Sequence, residues 1–243
     1  KKLCFYHIHN PDHYAHANYL RYVKDSKILM MIREPLDSCQ SWLRSSINNN
    51  YSDCIFKIMT MLYDIDQVAF RFGDARGLRL EDLKTEPKKT LNKLCEWLEI
   101  NESPNLFQMT AQGKKWWGDP SSPSYSGKHS MSAFGKKSNK QSNRSILSQK
   151  DKFILKTLFY PFSVRFGYQD ENKKIFQKNL CQIRPMIENM LDFETNFSKQ
   201  MSIETHDFKQ QEAYQLFHTG LLERWRVLNE LEEYPNMLEP LKI

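Results

Sequence analysis

The chain has 243 residues, 40% of them apolar and 13% aromatic, enough to close a core in one large domain or in one domain with an appendage. Thirty-five Lys and Arg against 29 Asp and Glu give a net charge of +6, and no run approaches the ~18 apolar residues of a membrane span. Five cysteines (Cys4, Cys39, Cys54, Cys95, Cys181) are odd in number and set in apolar contexts, so they read as reduced core residues rather than as a disulfide framework.

Residues 3 to 9 read as a strand and Asp12 to Val23 as a helix. The apolar run Ile28 to Ile32 reads as a buried strand that stops on Arg33. Glu34 and Pro35 follow, and proline favours the first position of a helix, here continuing to about Asn48. Arg33 is therefore expected at the carboxyl end of a strand, where ligands collect in open α/β sheets. Its guanidinium fork suits an oxyanion. Ser41 lies eight residues on, sharing a helix face with Asp37.

From Ser52 to Phe72 the apolar positions Ile55, Ile58, Met59, Leu62, Ile65, Val68, Ala69 and Phe72 form a helical stripe. Leu78 to Leu80 reads as a short strand, and Glu86-Pro87 opens a helix ending near Ile100. Alternating strands and helices in this order predict an α/β fold, a parallel sheet with flanking helices. Gln112 to Asn143 is a Ser-, Gly-, Lys- and Pro-rich connection, too long for an ordinary loop. Between Lys114 and Arg144 seven basic residues stand against Asp119 alone, a field that would attract a polyanion.

Ser148-Gln-Lys-Asp151 has the form of a capping box, with Asp in place of the preferred Glu or Gln, ahead of a helix reaching about Phe159. Beyond Tyr168 the chain turns charged and helical, broken by Pro185. The expected organisation is a domain over 1–170 and a helical extension over 171–243, which could pack on the core or serve as a homodimer contact.

Arg33-Glu-Pro-Leu-Asp-Ser-Cys-Gln-Ser41 after a short apolar strand resembles the 3′-phosphate-binding segment of sulfotransferases that use 3′-phosphoadenosine 5′-phosphosulfate (PAPS). Three further segments resemble the family in order. His7-Ile-His-Asn-Pro11 matches the Lys-x-His-x-Pro element. Gly77-Leu-Arg-Leu-Glu-Asp-Leu-Lys-Thr-Glu-Pro87 with Leu94-Cys-Glu-Trp-Leu98 matches a later block. Trp117-Gly-Asp-Pro-Ser-Ser122 and Phe166-Gly-Tyr168 match the closing loop and final-helix signature.

The resemblance covers roughly residues 1 to 168 and points to the broad bacterial-type branch. It implies a P-loop-like sulfotransferase fold, PAPS as sulfuryl donor, and a hydroxyl or amine acceptor of unspecified identity. It also implies that Arg33 and Ser41 hold the 3′-phosphate and that His9 acts as base. Lys114 and Trp117 would contribute to the cofactor pocket from the basic loop. The family's first strand and Gly/Ser/Thr-rich loop, which wrap the 5′-phosphosulfate, have no counterpart ahead of Lys1. The chain is thus expected to be an amino-terminally truncated fragment that binds the adenosine 3′-phosphate half, with turnover a separate question. The position before Glu81, a tyrosine in the family, is Leu80.

Three other readings compete. The cluster His7, His9, His13, His16 has strand spacing that zinc accepts, but lacks clear carboxylate or thiolate partners beyond Asp12 and Cys4; no metal is expected. A nucleotide or small-molecule kinase of related architecture would need a Walker lysine, and none of Gly113-Lys114, Gly127-Lys128 or Gly135-Lys136 has that context. A degenerate anion-binding module would bind adenosine 3′,5′-bisphosphate without transfer. No nucleic-acid partner is expected, and a cytoplasmic location is the working assumption.

Overall fold

The computed structural model describes residues 21–23, 25–46, 51–64, 74–108, 110–111, 114–115, 134, 145–230 and 238–242. The expected strand over residues 3 to 9 and most of the long basic loop lie outside them. What the described residues form is a small α/β fold, a parallel β-sheet flanked by helices. The chain divides into two compact units.

The sheet unit comprises Leu29–Arg33, Arg76–Asn143 and Pro240–Ile243. Among the described residues the sheet has three strands in the order β1-β2-β5: β1 (Lys27–Ile32), β2 (Asp74–Arg79) and β5 (Glu239–Pro240). Lys27 and Asp74, the first residues of β1 and β2, approach to 3.8 Å, so the two strands start together. On the other side of β2 the Leu241 N–H donates to the Gly77 carbonyl at 2.9 Å.

The strand over Ile28 to Ile32 forms, but it is not buried throughout. Ile32 is covered while Leu29 and Met31 are exposed, because successive side chains of a strand point to opposite faces. The second strand is longer than the apolar residues suggest. It begins at Asp74, and Leu80 already belongs to the helix α3 (Leu80–Thr85). Pro87 then starts α4 (Pro87–Leu98) at its first position, and Glu99 closes it in the left-handed region with φ 56°. A 3-10 turn over Pro104–Phe107 precedes the short antiparallel pair β3 (Thr110–Ala111) and β4 (Lys114–Lys115).

The helical unit comprises Lys1–Ile28, Glu34–Ala75 and Arg144–Glu239. Its described helices are α1 (Pro35–Ser46), α2 (Tyr51–Asp64), α5 (Gln149–Leu158), α6 (Tyr160–Arg165), α7 (Lys173–Ile183), α8 (Asp192–Gln200), α9 (Thr205–Gln210) and α10 (Glu212–Glu230). Of the stripe read from the sequence, Ile55, Ile58 and Leu62 are buried on the core face of α2, while its positions from Ile65 to Phe72 lie outside the described residues. The carboxy-terminal helices pack into the same core, α10 against α2, α5 and α7, and α7 against α5. Phe193, Phe208 and Phe217 are fully enclosed there. At Gly220 the backbone of α10 comes so close to α2 that an added Cβ would lie 1.9 Å from Met59 Cε.

The expected capping box is present in both halves. Ser148 Oγ accepts from the Asp151 N–H at 3.0 Å, and Asp151 Oδ2 accepts from the Ser148 N–H at 3.3 Å. Asp151 also reaches α8, accepting from the N–H groups of Asp192 at 2.8 Å and Phe193 at 3.0 Å. One buried carboxylate caps two helices.

Candidate functional site

Arg33 follows the last residue of β1, half-buried, where the apolar run predicts it. The parallel neighbour β2 ends on Arg79 and passes directly into α3, so residues of α3 lie at the same end of the sheet. This brings in a cation that the sequence reading did not single out. Lys84, in the last turn of α3, is partly buried, and its ammonium is pushed below the usual lysine range first by burial and then by the Arg33 guanidinium, with Glu81 acting the other way. Arg33 and Lys84 thus follow neighbouring strands of the sheet unit and oppose one another's charge, an opposition that an anion accepted by both would ease.

The acidic residues at this end of the sheet have defined tasks. Asp82 accepts an ion pair from Arg79 at 3.4 Å, and burial raises its carboxyl above the usual range despite that partner. Glu81 and Asp82 sit in the first turn of α3, where carboxylates suit the helix dipole. Lys84 was legible in principle: parallel strands align their carboxyl ends, so the segment after β2 must share one end of the sheet with the segment after β1.

In the helical unit, Glu34 caps α1. Its carbonyl accepts from the Ser38 N–H at 3.0 Å and its Oε2 from the Asp37 N–H at 2.7 Å, with Pro35 at the first helical position. Ser41 lies on α1 with its side chain exposed. Arg33 belongs to the sheet unit and Ser41 to the helical unit. Lys114 is exposed on β4. His9 and Trp117, the expected base and closing-loop aromatic, lie outside the described residues.

A second concentration of polar chemistry lies in the core of the helical unit. Glu194, fully buried, accepts from Tyr51 Oη, from the Leu191 N–H at 2.7 Å and faces His218 Nε2 at 2.9 Å. His218 Nδ1 lies 2.8 Å from the Ile187 carbonyl, and its ring stacks on Tyr214 at 4.1 Å. Burial and the Glu194 carboxylate push the Tyr51 phenol far above its usual range, and that of Tyr214 up to about 12. Every member is enclosed, so the cluster ties α2, α8 and α10 together rather than meeting a substrate.

Among the described residues no group of His, Cys, Asp and Glu could hold a metal ion, and the four amino-terminal histidines lie outside them. Cys39, Cys54 and Cys95 are buried cysteines and Cys181 is an exposed one. No described helix is long and apolar enough to cross a membrane. Comparison of the chain with protein-family models, with curated proteins and with solved structures returned no match.

Proposed function

We propose that this chain is a PAPS-dependent sulfotransferase domain that holds the cofactor's 3′-phosphate at the strand-end rim formed by Arg33 and Lys84. The observation that carries the reading is Arg33, set at the carboxyl end of β1 and electrostatically coupled to Lys84 from the segment after β2. A guanidinium and an ammonium of shared location form a donor set that fits a phosphate dianion: the first grips through paired N–H groups, the second supplies point charge.

Ser41 adds a hydroxyl in this reading, and Lys114 and Trp117 belong to the loop that closes over the nucleotide. PAPS, when bound, supplies the activated sulfuryl group. The acceptor is a hydroxyl or amine, and His9 receives the proton that the acceptor loses as it is sulfated. These last roles follow from the sequence resemblance, which runs in order from His7 to Tyr168.

The test is a thermal shift with adenosine 3′,5′-bisphosphate, the nucleotide left after transfer. At one hundred times Kd the stabilisation expected is about 2.7 kcal/mol, roughly 5 to 10 °C for a chain of this size. Arg33→Ala should remove most of the shift and Lys84→Met a substantial part. A folded protein with no shift, or an equal shift in Arg33→Ala, would sink the phosphate site. Binding without sulfation of alcohol, phenol or amine acceptors from PAPS would move the assignment to a binding module.

A further inference from the structure

Within the helical unit, α2 and α10 run side by side. Their later turns are pinched together at Met59 and Gly220, where Tyr63 Oη donates to the Gly220 carbonyl at 3.1 Å. Along the same pair lies a groove of about 570 Å³. That volume lies in the range of small-molecule sites, which are mostly apolar with a few placed polar groups. Ile55, Phe56 and Met59 line it from α2, and Leu216 and Phe217 from α10. Phe56 and Leu216 are 67% and 59% exposed, an unusual cost for two large apolar side chains facing one cleft.

The polar groups are distributed unevenly. Asp53 stands at the start of α2, with Tyr63 ten residues further on. At 1.5 Å per residue that separation is about 15 Å along the helix. In a protein of net charge +6, the lining among the described residues holds one carboxylate and neither Lys nor Arg. This charge pattern selects against an anionic amphiphile and for a cationic one.

We propose that the groove binds an elongated lipophilic amine, its aryl or alkyl body lying between Phe56 and Leu216 and its ammonium group on Asp53. The site is independent of the strand-end rim and stands or falls without it. The ammonium keeps its proton and no covalent bond is made; the carboxylate accepts a charge-assisted hydrogen bond from it.

The experiment is calorimetric titration of the full chain with 4-phenylbutylamine and with 4-phenylbutyrate, two probes matched in body and opposite in charge. The amine should bind and the carboxylate should bind at least fivefold more weakly. Asp53→Asn should weaken the amine about fivefold, the scale of one exposed ion pair. Leu216→Arg, an exposed position that leaves the core untouched, should abolish binding of both; Phe56→Arg gives the same test from α2 should the first variant fail to melt cooperatively. Absence of amine binding to folded protein, equal binding of the two probes, or binding unchanged in either variant overturns the proposal. So does a concentration-dependent dimer that Leu216→Arg dissociates, because a second copy would then be the occupant.

Discussion

Asp151 holds the starts of two helices at once. It satisfies three backbone N–H groups, one at the start of α5 and two at the start of α8. Asp151→Ala should cost about 2–4 kcal/mol, the sum of a lost cap and of donors left buried. Asp151→Asn should fall between, since an amide oxygen still accepts. Urea unfolding of the two variants, read as midpoint shifts at unchanged slope, checks the order. The sequence displayed the capping box but showed an Asp where Glu or Gln is preferred. The second helix explains the choice: Asp151 serves α8 as well as α5.

Lys84 yields a pH prediction. Its folded value lies below the usual lysine value, so its charge opposes folding, and this penalty fades as pH rises through the folded value toward the unfolded one. An anion at the rim would favour the charged form. Adenosine 3′,5′-bisphosphate binding should therefore take up a proton on the alkaline side and weaken as pH climbs past the unliganded Lys84 value. Affinity measured from pH 7 to 10 should fall in the native protein and fall less in Lys84→Met. An identical profile in both would remove Lys84 from the site.

The helices with a clear apolar period were legible element by element. The α2 stripe at Ile55, Ile58 and Leu62 is buried as its spacing requires, and Pro35 and Pro87 mark two helix starts. The start of β2 was not legible, because Asp74-Ala-Arg-Gly has little strand propensity and pairs because its neighbours on both sides supply the sheet. The polar knot of Glu194 with His218 and Tyr51 was equally hidden: its partners lie 24 and 143 residues away, and no local pattern specifies such contacts. Tyr51→Phe should still be informative. It removes one donor to a buried carboxylate and should destabilise by about 1.5–3 kcal/mol, seen as a lowered Tm with the fold retained.

Helix proximity at Gly220 belongs to the same scale. A small substituent there meets the flexible end of Met59, which can turn aside, and alanine also gains helix propensity. Gly220→Ala should therefore stay within about 1 kcal/mol of the native protein, while Gly220→Leu should cost about 1–3 kcal/mol by overpacking. Thermal melts of the pair distinguish a tight contact from a loose one.

For the molecule as a whole, charge sets how the proposed phosphate recognition would respond to conditions. A net charge of +6 and a cationic rim predict that bisphosphate affinity falls as salt is raised from low to physiological ionic strength, where the screening length shrinks to about 8 Å. Binding insensitive to salt would argue for recognition of the base rather than of the phosphate. Composition and element order made the α/β class readable, and the apolar run Ile28 to Ile32 made the strand-end arginine readable. The helical core was less so, since residues 34–64 and the carboxy-terminal helices build it jointly from segments that share no local signal.

The shared carboxylate at Asp151 has a dynamic counterpart. Helix ends ordinarily fray one at a time, each with its own opening free energy. Here the first turns of α5 and α8 draw on the same two oxygens, so displacement of the Asp151 side chain exposes N–H groups of both helices at once. The amides of Ser148, Asp192 and Phe193 should exchange with solvent deuterium as one kinetic group, although they belong to helices far apart in sequence.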